Sequence, residues 1–344
     1  MKIAIDAHGG DFGIKPNIEG ALSCLKNLSH EIILVGRDNE IREELRKLNI
    51  NELGPRLKIV NAVQIIGMDK EPVEECRSKP NSSLMIAAEL VAEKKADAFV
   101  SSGNSGAIMV ASLLKMKRIR GVLRPAIAIP YPTEKGFSLV LDAGANTDCK
   151  PWHLLQFALM GSVYMKNVAG IANPKVGILS IGEEECKGSA LVQEAIPLLK
   201  KANINFTGPL EGRDIPFGQA DVVVTDGFTG NVVLKLSEGL AKFLFKSIKD
   251  QIHRKFTYKI GAFLMKKIFT DLRNKTNPDE FGGAPLLGIN GIAMVSHGKS
   301  NARAIYNAVR VAGELAMAGA VAKIKKEIEA SNPVEEKEAN DEKI

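Results

Sequence analysis

Six loops concentrate the residues of this chain that could do chemistry. They are AHGGD (7–11), SSGNSGA (101–107), DAGAN (142–146), GEEECKGS (182–189), DGFTGN (226–231) and SHGKSN (296–301), each directly after a short apolar run. Glycine lets backbone N–H groups come close to a ligand, and a helix N-terminus behind the loop favours an anion. Most of these loops carry little acid and much hydroxyl or amide, so together they point to a site that holds a phosphate-like anion. GEEECKGS is the exception: its three acids would repel an anion unless Lys187 and backbone dipoles dominate. A further stretch, CRSKPNSSL (76–84), sets Arg77 and Lys79 before Pro80, with Asn81 or Ser82 placed to cap a helix. An anion there would meet two cations, uncommitted N–H groups and serine hydroxyls. A lone histidine is more often structural than catalytic. His297, however, ends an apolar run ahead of Gly298, Lys299 and Ser300, where α/β sheets place their ligands. His8 sits in a similar loop. His30, His153 and His253 lack such surroundings and read as packing or surface residues.

The elements that must position these loops alternate. Apolar runs at 2–6, 32–36, 57–60, 97–101, 126–130, 138–142, 175–181, 204–207, 221–225 and 291–296 read as strands. Helical periodicity covers 16–27, 39–48, 82–95, 105–117, 151–167, 188–202, 231–252, 255–272 and 300–328. Alternation of this kind implies an α/β fold with a mostly parallel sheet. The three prolines of RPAIAIPYP (124–132) mark a crossing between two units. The expected division is 1–124 plus 296–330 against 125–295, with 331–344 a disordered polar tail.

Composition narrows the function classes. The chain has 344 residues, 45% hydrophobic and 25% charged, ordinary values for a soluble globular protein. No apolar run is long enough to span a bilayer, and the N-terminus lacks a signal-peptide core. Four widely spaced cysteines form no CxxC pair, which speaks against a disulfide framework or a zinc site and fits a reducing cytoplasm. Aromatics at 5% speak against a stacking surface for single-stranded nucleic acid. No G-x-G-x-x-G follows a strand, and there is no P-loop, G-x-S-x-G elbow or H-E-x-x-H. The net charge of +6 is uneven: Lys242 to Lys275 holds ten Lys/Arg and two acids. Residues 239–273 read as a basic amphipathic helical hairpin, with Phe243, Leu244, Ile248 and Ile252 on one stripe and Phe263, Leu264, Ile268 and Leu272 on another. It could serve a homodimer interface, a membrane surface, or both.

Taken together, IAIDAHGGDFG, RSKPNSSL, SSGNSGA, RPAIAIP, LDAGANTD, IGEEECKGSALVQEA, EGRDIPFGQADVVVTDGFTGNVVLK and FGGAPLLGINGIAMVSHGKSNARAI closely resemble the bacterial phosphate acyltransferases of phospholipid synthesis. The matching stretches run in order from residue 3 to about 310. Where this chain has His8 the family usually has Met, so no role passes to that residue. Ser102-Gly103-Asn104-Ser105 stands where the family usually has Ala-Gly-Asn-Thr. The resemblance implies a fold like phosphotransacetylase and isopropylmalate dehydrogenase: two three-layer αβα domains with a cleft between them, commonly a homodimer. It implies transfer of a long-chain acyl group from acyl carrier protein to inorganic phosphate, giving an acyl-phosphate for glycerol-3-phosphate acylation. A cytoplasmic, peripherally membrane-associated enzyme is expected, with no cofactor, metal or nucleic acid, and possible contact with a downstream glycerol-3-phosphate acyltransferase.

On this reading His297, Lys79 and Asn231 are the expected catalytic residues. Arg77, Ser82, Ser102, Gly103, Asn104, Ser105, Lys187, Asp226, Gly230, Lys235, Gly283 and Ser300 are expected to bind substrate or phosphate. Phosphotransacetylases show similar elements at Lys187–Ser189 and Gly230–Lys235. Two other readings remain open: a short-chain phosphotransacetylase using acyl-CoA, and a non-catalytic membrane-binding sensor of anions or lipids.

Overall fold

The computed structural model describes residues 1–276 and 278–331, without the side chains of 273–276 and 278. Apart from Ser331, the tail expected to be disordered lies outside the described residues. In chain order the strands are β1 (Lys2–Asp6), β2 (Glu31–Gly36), β3 (Leu57–Asn61), β4 (Ala98–Ser101), β5 (Ala126–Ile127), β6 (Ile129–Thr133), β7 (Gly136–Leu141), β8 (Lys175–Ser180), β9 (Asn205–Glu211), β10 (Val222–Val224), β11 (Ala284–Leu287) and β12 (Ala293–Val295). The helices are α1 (Lys15–Asn27), α2 (Asp38–Lys47), α3 (Pro72–Ser78), α4 (Ser83–Ala92), α5 (Ser105–Lys115), α6 (Pro151–Asn167), α7 (Ala190–Lys201), α8 (Gly227–Arg254), α9 (Phe256–Leu264), α10 (Lys266–Thr276), α11 (Ala302–Met317) and α12 (Ala320–Ser331).

Two sheets result. The first has seven strands in the order β3-β2-β1-β4-β12-β11-β5, and the second has five, β6-β7-β10-β8-β9. Pairing is parallel except around β11 and between β6 and β7. The central strands are apolar at every step because both faces are covered. Their alternation divides the core: Ile3, Ile5, Ile32, Leu34, Ala98 and Val100 enter one cluster, while Ala4, Ile33, Val35 and Phe99 enter another. The first cluster continues into the second sheet through Leu139, Leu141, Val222 and Val224, with α6 buried along most of its length between them.

Residues 284–295, expected in the second unit, form β11 and β12 of the first sheet. Their APLL and AMV runs are buried throughout and pair with β5 and β4. The crossing at 124–133 supplies an edge strand to each sheet, β5 and then β6. The helix expected at 300–328 is two helices, parted at Gly319, which adopts φ +62°. Helix α3 was not expected. Glu71 accepts from the N–H groups of Val73 and Glu74, and Pro72 opens the first turn.

The basic segment is three helices rather than two. Lys255 is extended and separates α8 from α9. Beyond its first turn α8 buries nothing, and α9 buries no residue. Phe243, Leu244, Ile248, Phe263, Leu264 and Ile268 are all exposed. Among the described residues no helix is long and apolar enough to cross a membrane.

Candidate active site

In the first sheet the chain leaves β1 toward β2 and β3, then returns to β4 on the other side of β1. The connections that follow β1 and β4 thus run in opposite directions along the sheet, the kind of switch point at which α/β sheets bind ligands. Three of the polar loops meet there. The Asp11 N–H donates to the Gly298 carbonyl at 2.7 Å, and the Ser296 N–H to the Ser101 carbonyl at 2.9 Å. A fourth segment joins them, since Asn104 donates through Nδ2 to the Met68 carbonyl at 2.9 Å.

Several expected anion ligands are committed inward. Ser102 is buried, and its hydroxyl lies 2.9 Å from the Gly9 carbonyl and 3.4 Å from Asn17 Oδ1. Buried Asn17 donates to the carbonyls of Ala7 and Gly9. The Gly103 N–H donates to Ser101 Oγ at 3.0 Å. Asn104 caps α5 by accepting from the Ala107 N–H at 3.1 Å. Ser82 is buried and caps α4 through the Met85 N–H. Ser105 is exposed at the first position of α5, where N–H groups have no intrahelical acceptor.

The cations divide similarly. Lys79 Nζ lies 2.6 Å from Glu75 Oε2 and 3.0 Å from the Ile65 carbonyl. That ammonium, together with the Gly67 N–H, holds the Glu75 carboxyl below the usual carboxylate range. Arg77 is exposed at the end of α3, and no ion pair engages it among the described residues. His297 is exposed, and its Nδ1 accepts from the Lys299 N–H at 3.1 Å. The hydrogen of the neutral ring is thereby assigned to Nε2, which makes that atom a donor. Ser300 is buried, with its N–H on the His297 carbonyl at 2.8 Å. Ser296 is also buried, and its hydroxyl has no partner among the described residues. A side chain at Gly283 would meet that hydroxyl at 3.1 Å.

The second sheet builds its edge around one carboxylate. Asp142, wholly buried at the end of β7, accepts from the N–H groups of Ile127 (3.0 Å), Ala145 (3.1 Å) and Asn146 (2.7 Å), and from Asn146 Nδ2 (2.8 Å). Burial raises its pKa, and these four hydrogen bonds oppose the rise. Asp226 caps α8 by accepting from the Thr229 N–H and hydroxyl at 2.8 and 2.7 Å. Gly230 packs directly on β7: a Cβ there would lie 1.9 Å from the Asp142 carbonyl oxygen. Asn231 is exposed beside Gly144. Lys235 pairs with Glu238 at 3.3 Å, and Lys187 with Glu184 at 2.8 Å, both on the surface. Glu184 thus orients Lys187.

The two edges are connected through Ile127. Ile127 of the first sheet donates to Asp142 of the second, and Ala143 donates back to the Ile127 carbonyl. Asp6, Asn17, Ser101, Asp142 and Asn146 lie at the heart of these edges and were assigned no role from sequence. The signal was a carboxylate or hydroxyl closing an apolar strand, as in IAID, FVS and LVLD. Burial pushes the thiols of Cys24 and Cys149 up to about 12 and that of Cys76 up to about 11, so these three are poor nucleophiles near neutral pH. The arrangement offers oriented N–H groups, an imidazole donor and surface cations, which suit an anion and an oxyanion.

Comparison with known proteins gives a consistent result. The model of a family described as fatty acid synthesis protein matches residues 1–323. The phosphate acyltransferase of Elusimicrobium minutum is 56% identical over 328 residues, 95% of this chain and 96% of that protein. That of Desulfitobacterium hafniense is 49% identical over 329 residues, 95% of this chain and 98% of that one. Among solved structures, a phosphotransacetylase from Streptococcus pyogenes aligns with a TM-score of 0.63 at 19% identity, covering 92% of this chain and 94% of that chain. The EutD phosphotransacetylase from Staphylococcus aureus aligns with a TM-score of 0.59 at 17% identity, with the same coverages. At such identities the likeness is one of fold.

Proposed function

Because the chain belongs to the fatty acid synthesis protein family and is an acyltransferase, we propose that it moves a long-chain acyl group from the thioester of acyl carrier protein to inorganic phosphate. The observation that carries this reading is the 56% identity, over 95% of the chain, to a phosphate acyltransferase. The glycine- and hydroxyl-bearing loops at the switch point of the first sheet support it as an anion site.

A phosphate oxygen attacks the thioester carbonyl carbon. The new C–O bond forms, the C–S bond breaks, and the carrier leaves as a thiolate that takes up a proton. Phosphate is itself the nucleophile, so no covalent enzyme intermediate is needed. The protein's task is to orient the anion and stabilise the tetrahedral oxyanion. Arg77, Lys79, Ser105 and the first-turn N–H groups of α5 hold phosphate. Lys79 reaches it by sharing its ammonium with Glu75. His297, with its hydrogen on Nε2, donates to the oxyanion or to the leaving sulfur. Acting as a base on monoanionic phosphate would require the other tautomer, which its Nδ1 contact with Lys299 disfavours. Asn231, Lys235 and Lys187 face the reaction from the second sheet, and Asp226 fixes the helix start that carries Asn231.

The acyl-phosphate formed serves glycerol-3-phosphate acylation. The exposed apolar and basic surface of α8–α10 fits a second copy of the chain, the acidic carrier or an anionic membrane surface. Contact with the downstream glycerol-3-phosphate acyltransferase would follow from delivery at that surface.

The test is to incubate the protein with palmitoyl-carrier and follow free carrier thiol and acyl-phosphate together, with and without phosphate. Equal appearance of both, only with phosphate, is the expected result. Acetyl-CoA consumption without carrier turnover would replace this reading by a short-chain phosphotransacetylase. Inertness to both would leave a sensor.

A further inference from the structure

We infer that Asp6 and Ser101 are positioning residues that set the phosphate loop from beneath, as a one-way hydrogen-bond relay of carboxylate, hydroxyl and amide. The inference rests on the reading of 101–105 as the phosphate loop.

Asp6 closes β1 and is 3% exposed; Ser101 closes the neighbouring β4 and is 1% exposed. Ser101 Oγ lies 2.7 Å from Asp6 Oδ2 and 3.0 Å from the Gly103 nitrogen. An ionised carboxylate can only accept, and a serine hydroxyl has a single hydrogen. Asp6 therefore takes that hydrogen, and a lone pair of Ser101 must take the Gly103 N–H. The direction of the relay is fixed by this stoichiometry. The Gly103 N–H is drawn down toward the sheet, which sets the turn into α5 and the aim of the N–H groups above it. Asp6 Oδ1 also accepts from the His8 N–H at 3.3 Å, so one carboxylate anchors both the β1 loop and the β4 loop.

A buried negative charge beneath an anion site would oppose binding by simple Coulomb repulsion. Its presence is explained by acceptor chemistry: a carboxylate accepts at both oxygens, from the Ser101 hydroxyl and from the His8 N–H, where a carboxamide could accept at only one. The loops also touch at this point. A Cβ on Gly9 would lie 2.8 Å from the Gly103 nitrogen and 2.9 Å from both Asp6 Oδ2 and Ser101 Oγ, so the relay fills the space beneath Gly9.

The test compares Ser101→Thr with Ser101→Val. The two side chains have nearly the same shape and add the same methyl bulk, so their difference reads the hydroxyl. In the phosphate-dependent assay, Ser101→Val should raise the KM for phosphate by about tenfold or more over Ser101→Thr, the scale of a buried donor left unpaired. The kcat should change much less. Asp6→Asn should raise it as well, because the carboxamide has one acceptor oxygen for two donors, the Ser101 hydroxyl and the His8 N–H. The double variant Asp6→Asn/Ser101→Val should be little worse than Ser101→Val alone, since both break one relay. Melting with and without inorganic phosphate provides a readout independent of turnover: the phosphate-induced shift should survive in Ser101→Thr and shrink in Ser101→Val. Equal phosphate KM and equal shifts in the Thr and Val variants would overturn the inference while leaving the function standing. A wild-type chain with neither phosphate-dependent turnover nor a phosphate-induced shift would overturn the function and the inference together.

Discussion

At the edge of the first sheet, loops that arrive from strands far apart in sequence are joined by side chains, Asp6 to Ser101 and Asn17 to Ser102. At the edge of the second sheet, one carboxylate gathers a loop and the crossing strand, and the following helix is seated by glycine against bare backbone. The first construction can be tuned one bond at a time. The second transmits any disturbance of Asp142 to β5, to the 142–146 loop and to the start of α8 together. On the proposed reading, ligand geometry is concentrated at the first edge and the mutual placement of the sheets at the second.

Gly230→Ala should give the largest effect and would break this comparison if harmless. Its Cβ would fall 1.9 Å from a backbone oxygen, with no flexible side chain to move aside. Denaturant melts should show a loss of about 3 kcal/mol or more, at or beyond the top of the usual overpacking range. The comparison sharpens with paired Asp→Asn changes. Asp142→Asn turns an N–H₂ toward a carboxylate pocket built of four donors and should cost stability of about 2–3 kcal/mol. Asp6→Asn, with two donors at stake, should cost less in melting and more in phosphate KM. Equal profiles from the two variants would remove the distinction between the edges.

The smallest effect concerns His8, which ties the β1 loop to β2. Its Nε2 accepts from the Arg37 N–H at 3.0 Å, while Glu40 Oε2 stands 3.8 Å from Nδ1. Burial lowers its pKa, while Glu40 and Asp6 raise it and Arg37 lowers it further. Because the folded value lies below 6.5, the unfolded chain binds the proton more readily in the window between them. The contribution of His8 is therefore complete above pH 6.5 and lost as pH falls through the folded value. Stability measured against pH should show this acid-side slope in the wild type and a reduced one in His8→Gln.

Much of the fold was legible because buried parallel strands announce themselves as short apolar runs: nine of the ten expected runs fall on single strands, and the tenth, 126–130, spans β5 and the start of β6. The misses have physical causes. Helix α3 is short and highly charged, and its single buried residue, Cys76, leaves no periodic face to see. APLL of β11 is a four-residue run opened by two glycines and holding a proline, too short to separate from a loop. At the site, sequence located the loops but not the direction of their side chains. Ser102 and Ser82 have the chemistry of anion ligands, yet a hydroxyl is spent on whichever acceptor or donor folding brings nearest. For Ser102 that was a carbonyl of the other loop, and for Ser82 the first turn of its own helix. Asp6 and Asp142 passed unremarked because each looks like the polar residue that ends a strand. Their roles depend on partners up to 95 residues away.

The position of β12 also bears on how the protein is made. This strand sits inside the first sheet, between β4 and β11, and of the described strands it is the last to leave the ribosome. Until it emerges, β4 offers an unpaired apolar edge, and the loops around Gly9 and Gly103 lack the neighbour that closes them. The second sheet, complete once Val224 has been synthesised, has no such wait. Domains generally fold as units while the chain grows. Here the N-terminal strands are synthesised first and completed last, so the proposed anion site forms only after β12 has been made, and a chain cut before β12 would carry an open sheet edge instead of a partly working enzyme.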